Sequence, residues 1–325
     1  MKREQYEMRT TSLLIVVASL AVLTACAPAK PQTFETPEAA VQGLVDAAQA
    51  GEVKPVLKVL GEDAKPLVES GDPVADKNGR EEFVQRFKEA NSLDKTNPDS
   101  ITLEVGADKW PFPFPLVKGD GGWHFDSAAG AEEIINRRVG ENELDTIQSC
   151  LAYVDAQREY YQRNPQNDAM LHYANRLIST EGKKDGLYWP AAENEEQSPL
   201  GEGFARARAE GYEPKDGTMK GGPFHGYVYR VVTQQGPNAQ GGAYSYLVND
   251  QLLGGFAVVA FPAEYGNSGV MTFIVNHDGV VYSQDLGPDT AKLALAIDKF
   301  DPAPPWKKEE AGEVTVTGTA TVPAN

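Results

Sequence analysis

The sequence is poor in the residues that most often carry enzyme chemistry. Its 325 residues include four histidines and two cysteines. A zinc site needs several histidines to converge with carboxylates. The four histidines here have no metal-ligand spacing between them: they are His124, His172, His225 and His277. We therefore predict that the protein has neither a bound metal nor a cofactor.

Short catalytic motifs are also missing. The sequence lacks the HExxH motif of zinc proteases, the GxxxxGK(S/T) phosphate loop, the dinucleotide-binding GxGxxG and the nucleophile elbow GxSxG. Residues 92–95 fit the SxxK pattern, but the companion SDN and KTG elements are absent, so we expect a polar loop there. Residues 76–79 fit part of a calcium loop, but the EF-hand register requires Asp or Asn in place of Val74 and Glu in place of Gln85, so we expect a turn. These absences favour a protein without catalytic activity.

Basic residues are outnumbered, with 30 Lys and Arg against 47 Asp and Glu and a formal net charge of −17. Such a surface repels phosphate backbones, which argues against nucleic acid as a partner. The two cysteines are Cys26 and Cys150. Cys150 has no CxxC companion, and we expect it to be a small buried residue rather than a reactive thiol.

The hydrophobic run near the N-terminus is well short of the ~20 residues that a membrane-spanning helix needs. It covers residues 13–23, and Lys2, Arg3 and Arg9 precede it. A charged start, a short apolar segment and small residues at its end predict an export signal peptide over residues 1–25.

Residues 23–26, Leu-Thr-Ala-Cys, resemble the bacterial lipobox, in which the cysteine is diacylated and becomes the new N-terminus. The resemblance implies a lipoprotein that binds membrane lipid through acylated Cys26, with residues 26–33 as a lipidated tether. Several acyl chains anchor firmly, because each buried CH₂ contributes ~0.8 kcal/mol. We therefore expect a protein of the bacterial cell envelope that faces the periplasm. Ala27, rather than Asp, favours the outer membrane, and an ordinary secretory signal or short anchor is the alternative.

The next stretch, residues 34–130, is predicted to be an α+β domain. Thr36 before Pro37 and Glu38 is typical of a helix N-terminus. Further helices are predicted over residues 53–60 and 81–90, and strands over residues 101–105, 114–117 and 123–126. Helices followed by antiparallel strands that end in Trp-x-Phe-Asp resemble the nuclear-transport-factor-2-like (SnoaL-like) cone fold, which often encloses a pocket.

An aromatic run lies in this domain. Trp110, Phe112 and Phe114 alternate with prolines, which hold the backbone extended and restrict it to an edge strand or loop. The three aromatic side chains are candidates for binding a ligand or partner. Ordinary core packing is the alternative.

The second predicted domain, residues 131–306, begins with a long helix over residues 131–163 that carries a narrow apolar stripe. Residues 182–222 are rich in Gly, Pro and charge, and they are predicted to form a long loop that is either functional or an ordered cover. Within this loop, Tyr188 and Trp189 are further candidate binding residues.

Three apolar runs separated by turn residues predict an antiparallel meander over residues 254–287. Residues 276–279 end in Asp-Gly, a strong hairpin signal. The other predicted elements are a short helix over 171–179, strands over 227–233 and 244–248, a helix ending at Phe300 with Leu293 on its buried side, and a flexible tail over 307–325 with an edge strand as the alternative.

Five motifs occur in order along the chain. They are Asn142-Glu143-Leu144, Tyr188-Trp189, Pro223-Phe224-His225-Gly226-Tyr227, Gly254-Gly255-Phe256-Ala257 and the run YGNSGVMTF at residues 265–273. Together they resemble one bacterial family of exported proteins, domain of unknown function 2950, over about residues 34–306. The resemblance implies export and a shared fold, and it brings no activity and no catalytic residues.

The second half alone is similar in layout to type IV pilin and pseudopilin domains, in which a long helix packs on an antiparallel meander. The chain departs from pilins because it has no apolar polymerising helix continuous with Leu144. Its N-terminus also resembles a lipidated one, so we do not expect incorporation into a filament.

These observations predict a cell-envelope lipoprotein that works as a non-enzymatic interaction or binding module. Its partner would be an envelope protein or the cell wall. Two alternatives stay open: a small-molecule binding module with an aromatic-lined pocket, and a hydrolase with an unrecognised site.

Overall fold

The computed structural model describes residues 30–309, apart from residues 193, 216–217 and 221–222 and the side chains of 133, 213–215 and 218–220. The predicted signal peptide, the acylation site Cys26 and most of the predicted tail lie outside these residues. In the described part, no helix is both long and apolar enough to cross a bilayer. Helices and antiparallel sheets both contribute, which confirms the predicted α+β class.

The first unit, residues 30–130, has four α-helices, two of which begin at a side chain that caps them. The four helices are α1 (Pro37–Gln49), α2 (Val53–Leu60), α3 (Lys65–Val68) and α4 (Pro73–Glu89), with a 3₁₀ turn at Glu62–Ala64. The Thr36 hydroxyl accepts a hydrogen bond from the Ala39 amide at 3.1 Å, as the sequence predicts. Asp72 caps α4 in the same way, well before the predicted start at residue 81.

The predicted turn at residues 76–79 is therefore wrong, since these residues lie inside α4. An aspartate N-cap followed by proline at the first helical position strongly favours a helix. That start signal outweighs the turn preference of Asn78 and Gly79.

The sheet of the first unit is antiparallel. Its strands are β1 (Asn91–Asp94), β2 (Ser100–Val105), β3 (Trp110–Pro111), β4 (Leu116–Gly119) and β5 (Gly122–Phe125). The order is β1-β2-β4-β5, and β3 also pairs with β2. The expected polar loop at residues 92–95 is wrong for its first three residues, because β1 pairs with the C-terminal part of β2.

The second unit, residues 131–309, is organised around α5 (Ala131–Arg163), the long helix that the sequence predicts. Its main sheet is antiparallel, with the order β16-β15-β14-β13-β8. These strands are β8 (Tyr227–Val232), β13 (Ala257–Pro262), β14 (Met271–Asn276), β15 (Tyr282–Asp285) and β16 (Lys307–Lys308). The predicted meander is β13-β14-β15, and α5 packs on β13 and β14.

Short elements complete the second unit. They are α6 (Gly201–Glu210), α7 (Thr290–Leu295), and the hairpin strands β6 (Glu213–Lys215), β7 (Thr218–Lys220), β9 (Gln234–Gln235), β10 (Tyr244–Ser245), β11 (Leu247–Val248) and β12 (Gln251–Leu252). The predicted loop at residues 182–222 therefore contains a helix. The predicted strand at 244–248 is divided between two small hairpins outside the main sheet.

Two further predictions are wrong. Residues 171–179 form no helix, because their backbone instead makes single bridges from Tyr173 to Leu252 and from Ile178 to Tyr188. α7 ends at Leu295 rather than at Phe300, and Leu293 is 45% exposed instead of buried. Past the helix, the chain extends so that Phe300 can bridge to Gln235 and enter the core.

The described residues form two hydrophobic cores. The first lies between α1, α2 and the sheet of the first unit, and includes Leu103, Leu116 and Phe125. The second lies between α5 and the meander, and includes Tyr160 and Phe273. The first turn of α5 packs on the first core. The domain boundary at residues 130/131 and the likenesses to the cone fold and to pilins stay predictions.

Cys150 gives a first testable consequence of this packing. It is fully buried on α5, and burial raises the pKa of its thiol to about 12. Because the thiolate is the nucleophile, we expect Cys150 to resist an aromatic disulfide reagent at about pH 8 in the native chain and to react after unfolding. A Cys26→Ser chain leaves Cys150 as its single thiol. Rapid native reaction would contradict the packing.

Candidate binding site

A buried carboxylate joins the two units. Asp72 is fully buried, and one of its oxygens accepts the amides of Val74 and Ala75 at 3.1 Å each, which caps α4. Its other oxygen accepts the Tyr212 hydroxyl at 2.6 Å and the Gly226 amide at 3.1 Å. Burial and this carboxylate raise the pKa of Tyr212, so its hydroxyl keeps the proton that it donates.

Arg138 on α5 makes a second connection. Its guanidinium donates to the carbonyls of Pro66 and Leu67 and, at 2.6 Å, to the side-chain oxygen of Asn267. The Asn267 amide in turn donates to the Glu69 carbonyl at 3.0 Å. Burial lowers the pKa of Arg138, and nearby carboxylates oppose this shift. Arg138 is therefore committed to holding α3 against the loop between β13 and β14.

Three of the five family-like motifs meet at this junction, those at residues 142–144, 223–227 and 265–273. The Asn142 amide donates to the Ser268 carbonyl at 2.8 Å, and one Glu143 oxygen accepts from the amides of Val270 and Met271 at 3.0 Å each. Gly226 has a φ of +72°, and a Cβ there would lie 2.6 Å from the Asn142 side chain. These motif residues fix α5 against the sheet and the first unit, so their immediate role is structural.

Asp76 lies beside this junction and gives a pH-dependent prediction. Burial raises the pKa of its carboxyl above 3.8, although hydrogen bonds from Ser70 and the charge of Arg138 oppose the shift. A raised folded-state pKa means that this group contributes most to stability while it is protonated and loses that contribution as pH rises through the folded pKa. We expect the stability of Asp76→Asn to rise relative to wild type between about pH 3 and about pH 7.

Asp108→Asn is the matched control for this pH series. The hydrogen bond from Arg86 lowers the pKa of the exposed Asp108 carboxyl, so the difference from wild type should change in the opposite direction. Denaturant titrations across the pH range measure both differences. Parallel changes in the two variants would contradict the assignment.

A large cleft lies next to the junction, between the two units. Its volume is about 1040 Å³, slightly above the upper end of the range of small-molecule sites. Its apolar wall comes from α1–α4, the aromatic run and the start of α5, and includes Leu44, Val56, Leu60, Leu67, Phe83, Trp110, Phe112, Phe114 and Ile134. α4 has no fully buried residue, and eight of its residues line this cleft. A Cβ added at Gly79 would have no neighbouring atom within 4 Å.

The structure separates the predicted binding residues into two places. Trp110, Phe112 and Phe114 all line the cleft. Phe114 is also part of the first hydrophobic core, and Trp110 and Phe112 pack against that core, so candidate binding and core packing both stay open for these residues. The Phe112 ring lies 5.0 Å from Phe83 and 5.3 Å from Phe114. Tyr188 and Trp189 instead lie buried in the second unit, where Tyr188 stacks on Phe204 at 4.2 Å, and they do not reach the cleft.

The sequence reasoning missed the arginines of the cleft. Four of them line it: Arg80, Arg86, Arg137 and Arg138. Arg86 donates to Asp108 at 2.6 Å and lies over the Trp110 ring. Arg80 has two buried N–H groups without an acceptor in the described chain. The missed signal was the Asp72-Pro73 helix start, which would have placed Arg80 on the same helix as Phe83.

A histidine lies at the far end of the cleft. The ring nitrogens of His225 lie 3.3 Å from an Asp145 oxygen and 3.6 Å from a Glu210 oxygen. All three residues also line a neighbouring cavity of about 380 Å³ between α5 and α6. Within the described residues, no group of three or more His, Cys, Asp or Glu side chains is arranged to hold a metal. The partners of the two His225 ring nitrogens are therefore carboxylates, not a nucleophilic hydroxyl or thiol.

Together these observations define a two-unit α+β protein with an aromatic-lined cleft between its units. The sequence model of one family, described as protein of unknown function (DUF2950), matches residues 31–309. The chain therefore belongs to that family, as its motifs predict. Comparison with curated proteins and with solved structures finds no match for this chain.

Proposed function

We propose that this protein is a cell-envelope lipoprotein, anchored through acylated Cys26, whose body binds a small molecule in the cleft. The supporting observation is the cleft itself. A volume of about 1040 Å³ lies against Phe83, Trp110 and Phe112, beside a 17-residue helix with no fully buried residue. Apolar side chains facing an open cavity favour an apolar ligand that would cover them.

The sequence left three hypotheses open: an interaction module, a small-molecule binding module and a hydrolase. The aromatic side chains lie in a concave site between the two units. Such a site suits a small molecule better than the surface of a partner protein. A hydrolase would need a nucleophile beside a base, and the partners of the two His225 ring nitrogens are carboxylates. The cleft therefore favours binding over both alternatives.

The experiment that tests the proposal uses the full-length protein purified from its own membranes in nanodiscs. Compounds extracted from it by solvent are compared, by mass spectrometry, with those from an unrelated acidic lipoprotein treated in the same way. We expect one chemical class to be enriched, at close to one molecule of compound per molecule of protein. Equal profiles for the two proteins would contradict the proposal.

A further inference from the structure

We infer that the ligand of the cleft is an amphipathic anion, a carboxylate or phosphate joined to an apolar chain or ring, and that Arg80 binds its anionic group. This inference rests on the proposed function and narrows it to a ligand class. It comes from the choice of cations in the cleft, from their hydrogen bonds and from their position beside aromatic rings.

The cations of the cleft are of one kind. Four arginines line it and no lysine of the described chain does, although lysine is the more abundant of the two in the whole sequence. A guanidinium presents a planar fork of donors that matches carboxylate and phosphate oxygens, whereas lysine provides a flexible point charge. The selection of arginine indicates recognition of an oxyanion.

The arginines differ in how many of their guanidinium N–H groups already have an acceptor within the protein. Arg138 is held by two carbonyls and Asn267. Arg86 is paired with Asp108 through Nη2, while its Nε is buried without an acceptor in the described chain. The Nε and Nη1 atoms of Arg80 are buried and meet no acceptor in the described chain. Leaving buried donors unpaired is unfavourable, so this guanidinium favours an acceptor brought by a ligand.

The apolar part of the ligand has a place beside this group. Phe83 lies three residues after Arg80 on α4, so the two side chains share one side of the helix. The Phe83 ring is 5.0 Å from Phe112, and both line the cleft. Charge recognition and an aromatic surface are thus adjacent, which is the arrangement that an amphipathic anion needs.

Carboxylates also line the cleft, and they make a cationic ligand the alternative. Asp76 accepts the Ser70 amide at 3.0 Å, and Glu82 lies 3.9 Å from Arg86. Asp145 and Glu210 flank His225 at the far end. Asp76, Glu82, Asp145 and Glu210 thus each have a partner within the protein, and the fifth carboxylate of the lining, Glu141, is exposed. The buried Nε and Nη1 of Arg80 have no acceptor in the described chain.

The test is a titration of full-length protein in nanodiscs with four probes of equal chain length: octanoate, octyl phosphate, octanol and octylammonium. Empty nanodiscs provide the blank for partition into lipid. We expect each anion to bind at least about tenfold more tightly than octanol, as one new charged hydrogen bond would give. Tighter octanoate would indicate a free carboxylic acid as the natural ligand, and tighter octyl phosphate would indicate a phosphate headgroup.

Two arginine variants test whether Arg80 is the residue that binds the anionic group. Arg80→Gln should weaken octanoate about tenfold and leave octanol unchanged. Arg176→Gln is the matched control, because Arg176 lies in the second unit, pairs with Asp185 and does not line the cleft. Thermal unfolding of both variants without probe checks that each is folded.

The outcomes separate the two proposals. If octanol binds as tightly as octanoate, or octylammonium binds more tightly, the anion inference is overturned while binding in the cleft stands. Binding of octanoate that Arg80→Gln leaves unchanged would also overturn it. If none of the probes binds, both the inference and the proposed function are contradicted.

Discussion

Replacing Asp72 by alanine is expected to reduce the free energy of unfolding by about 3–5 kcal/mol. The variant loses the cap of α4, worth roughly 0.5–2 kcal/mol. It also leaves two buried donors without their acceptor, the Tyr212 hydroxyl and the Gly226 amide, at roughly 1–3 kcal/mol each. Denaturant unfolding measures the loss.

Asp126→Ala is the matched control for that change. Asp126 also accepts two backbone amides, from Ala128 and Ala129 at 3.2 Å, but these hydrogen bonds are exposed. We expect a loss of no more than about 1 kcal/mol there. A loss at Asp72 as small as that at Asp126 would show that the buried carboxylate does not hold the two units together.

Tyr212→Phe isolates one contribution to the loss of stability expected for Asp72→Ala, the hydrogen bond from the Tyr212 hydroxyl. It removes one hydrogen bond and leaves the cap of α4 and the Gly226 contact in place. Its expected cost is about 1–2 kcal/mol, clearly below that of Asp72→Ala. Equal costs would mean that neither the cap nor the Gly226 contact contributes to stability.

Filling the cleft with Gly79→Trp is expected to weaken octanoate binding by more than about a hundredfold, or ~2.8 kcal/mol. Gly79 lies within α4, lines the cleft and has open space where a side chain would begin. The indole would therefore occupy the ligand's volume. Stability should not fall, since replacing a mid-helix glycine removes a helix penalty of up to ~1 kcal/mol.

Gly140→Trp is the control for this variant. Gly140 is an exposed mid-helix glycine on α5, has equally open surroundings and does not line the cleft. It should gain similar helix stability and keep full binding. Undiminished binding by Gly79→Trp would place the ligand outside the cleft.

Local signals in the sequence predict part of this fold. The long helix α5 and the meander β13-β14-β15 carry strong periodicity and an Asp-Gly turn, and both lie where expected. The short helix α6 and the early start of α4 were missed. In α4 the turn residues Asn78 and Gly79 obscured the stronger signal of Asp72 and Pro73.

The site was harder to predict than the fold. The alternating prolines drew attention to Trp110, Phe112 and Phe114, and these three residues do line the cleft. Arg80 and Arg138 could not be joined to them, because they lie on α4 and α5, two helices far apart in the chain that line the same cleft only in the folded protein. Such long-range contacts leave no periodic pattern in one sequence.

The most direct test is a crystal structure of the full-length protein with saturating octanoate. We expect the carboxylate within about 3 Å of the Arg80 guanidinium and the alkyl chain against Phe83 and Phe112. That result would establish the cleft as a binding site for an amphipathic anion. An empty cleft, with octanoate bound elsewhere or not at all, would contradict the central claim.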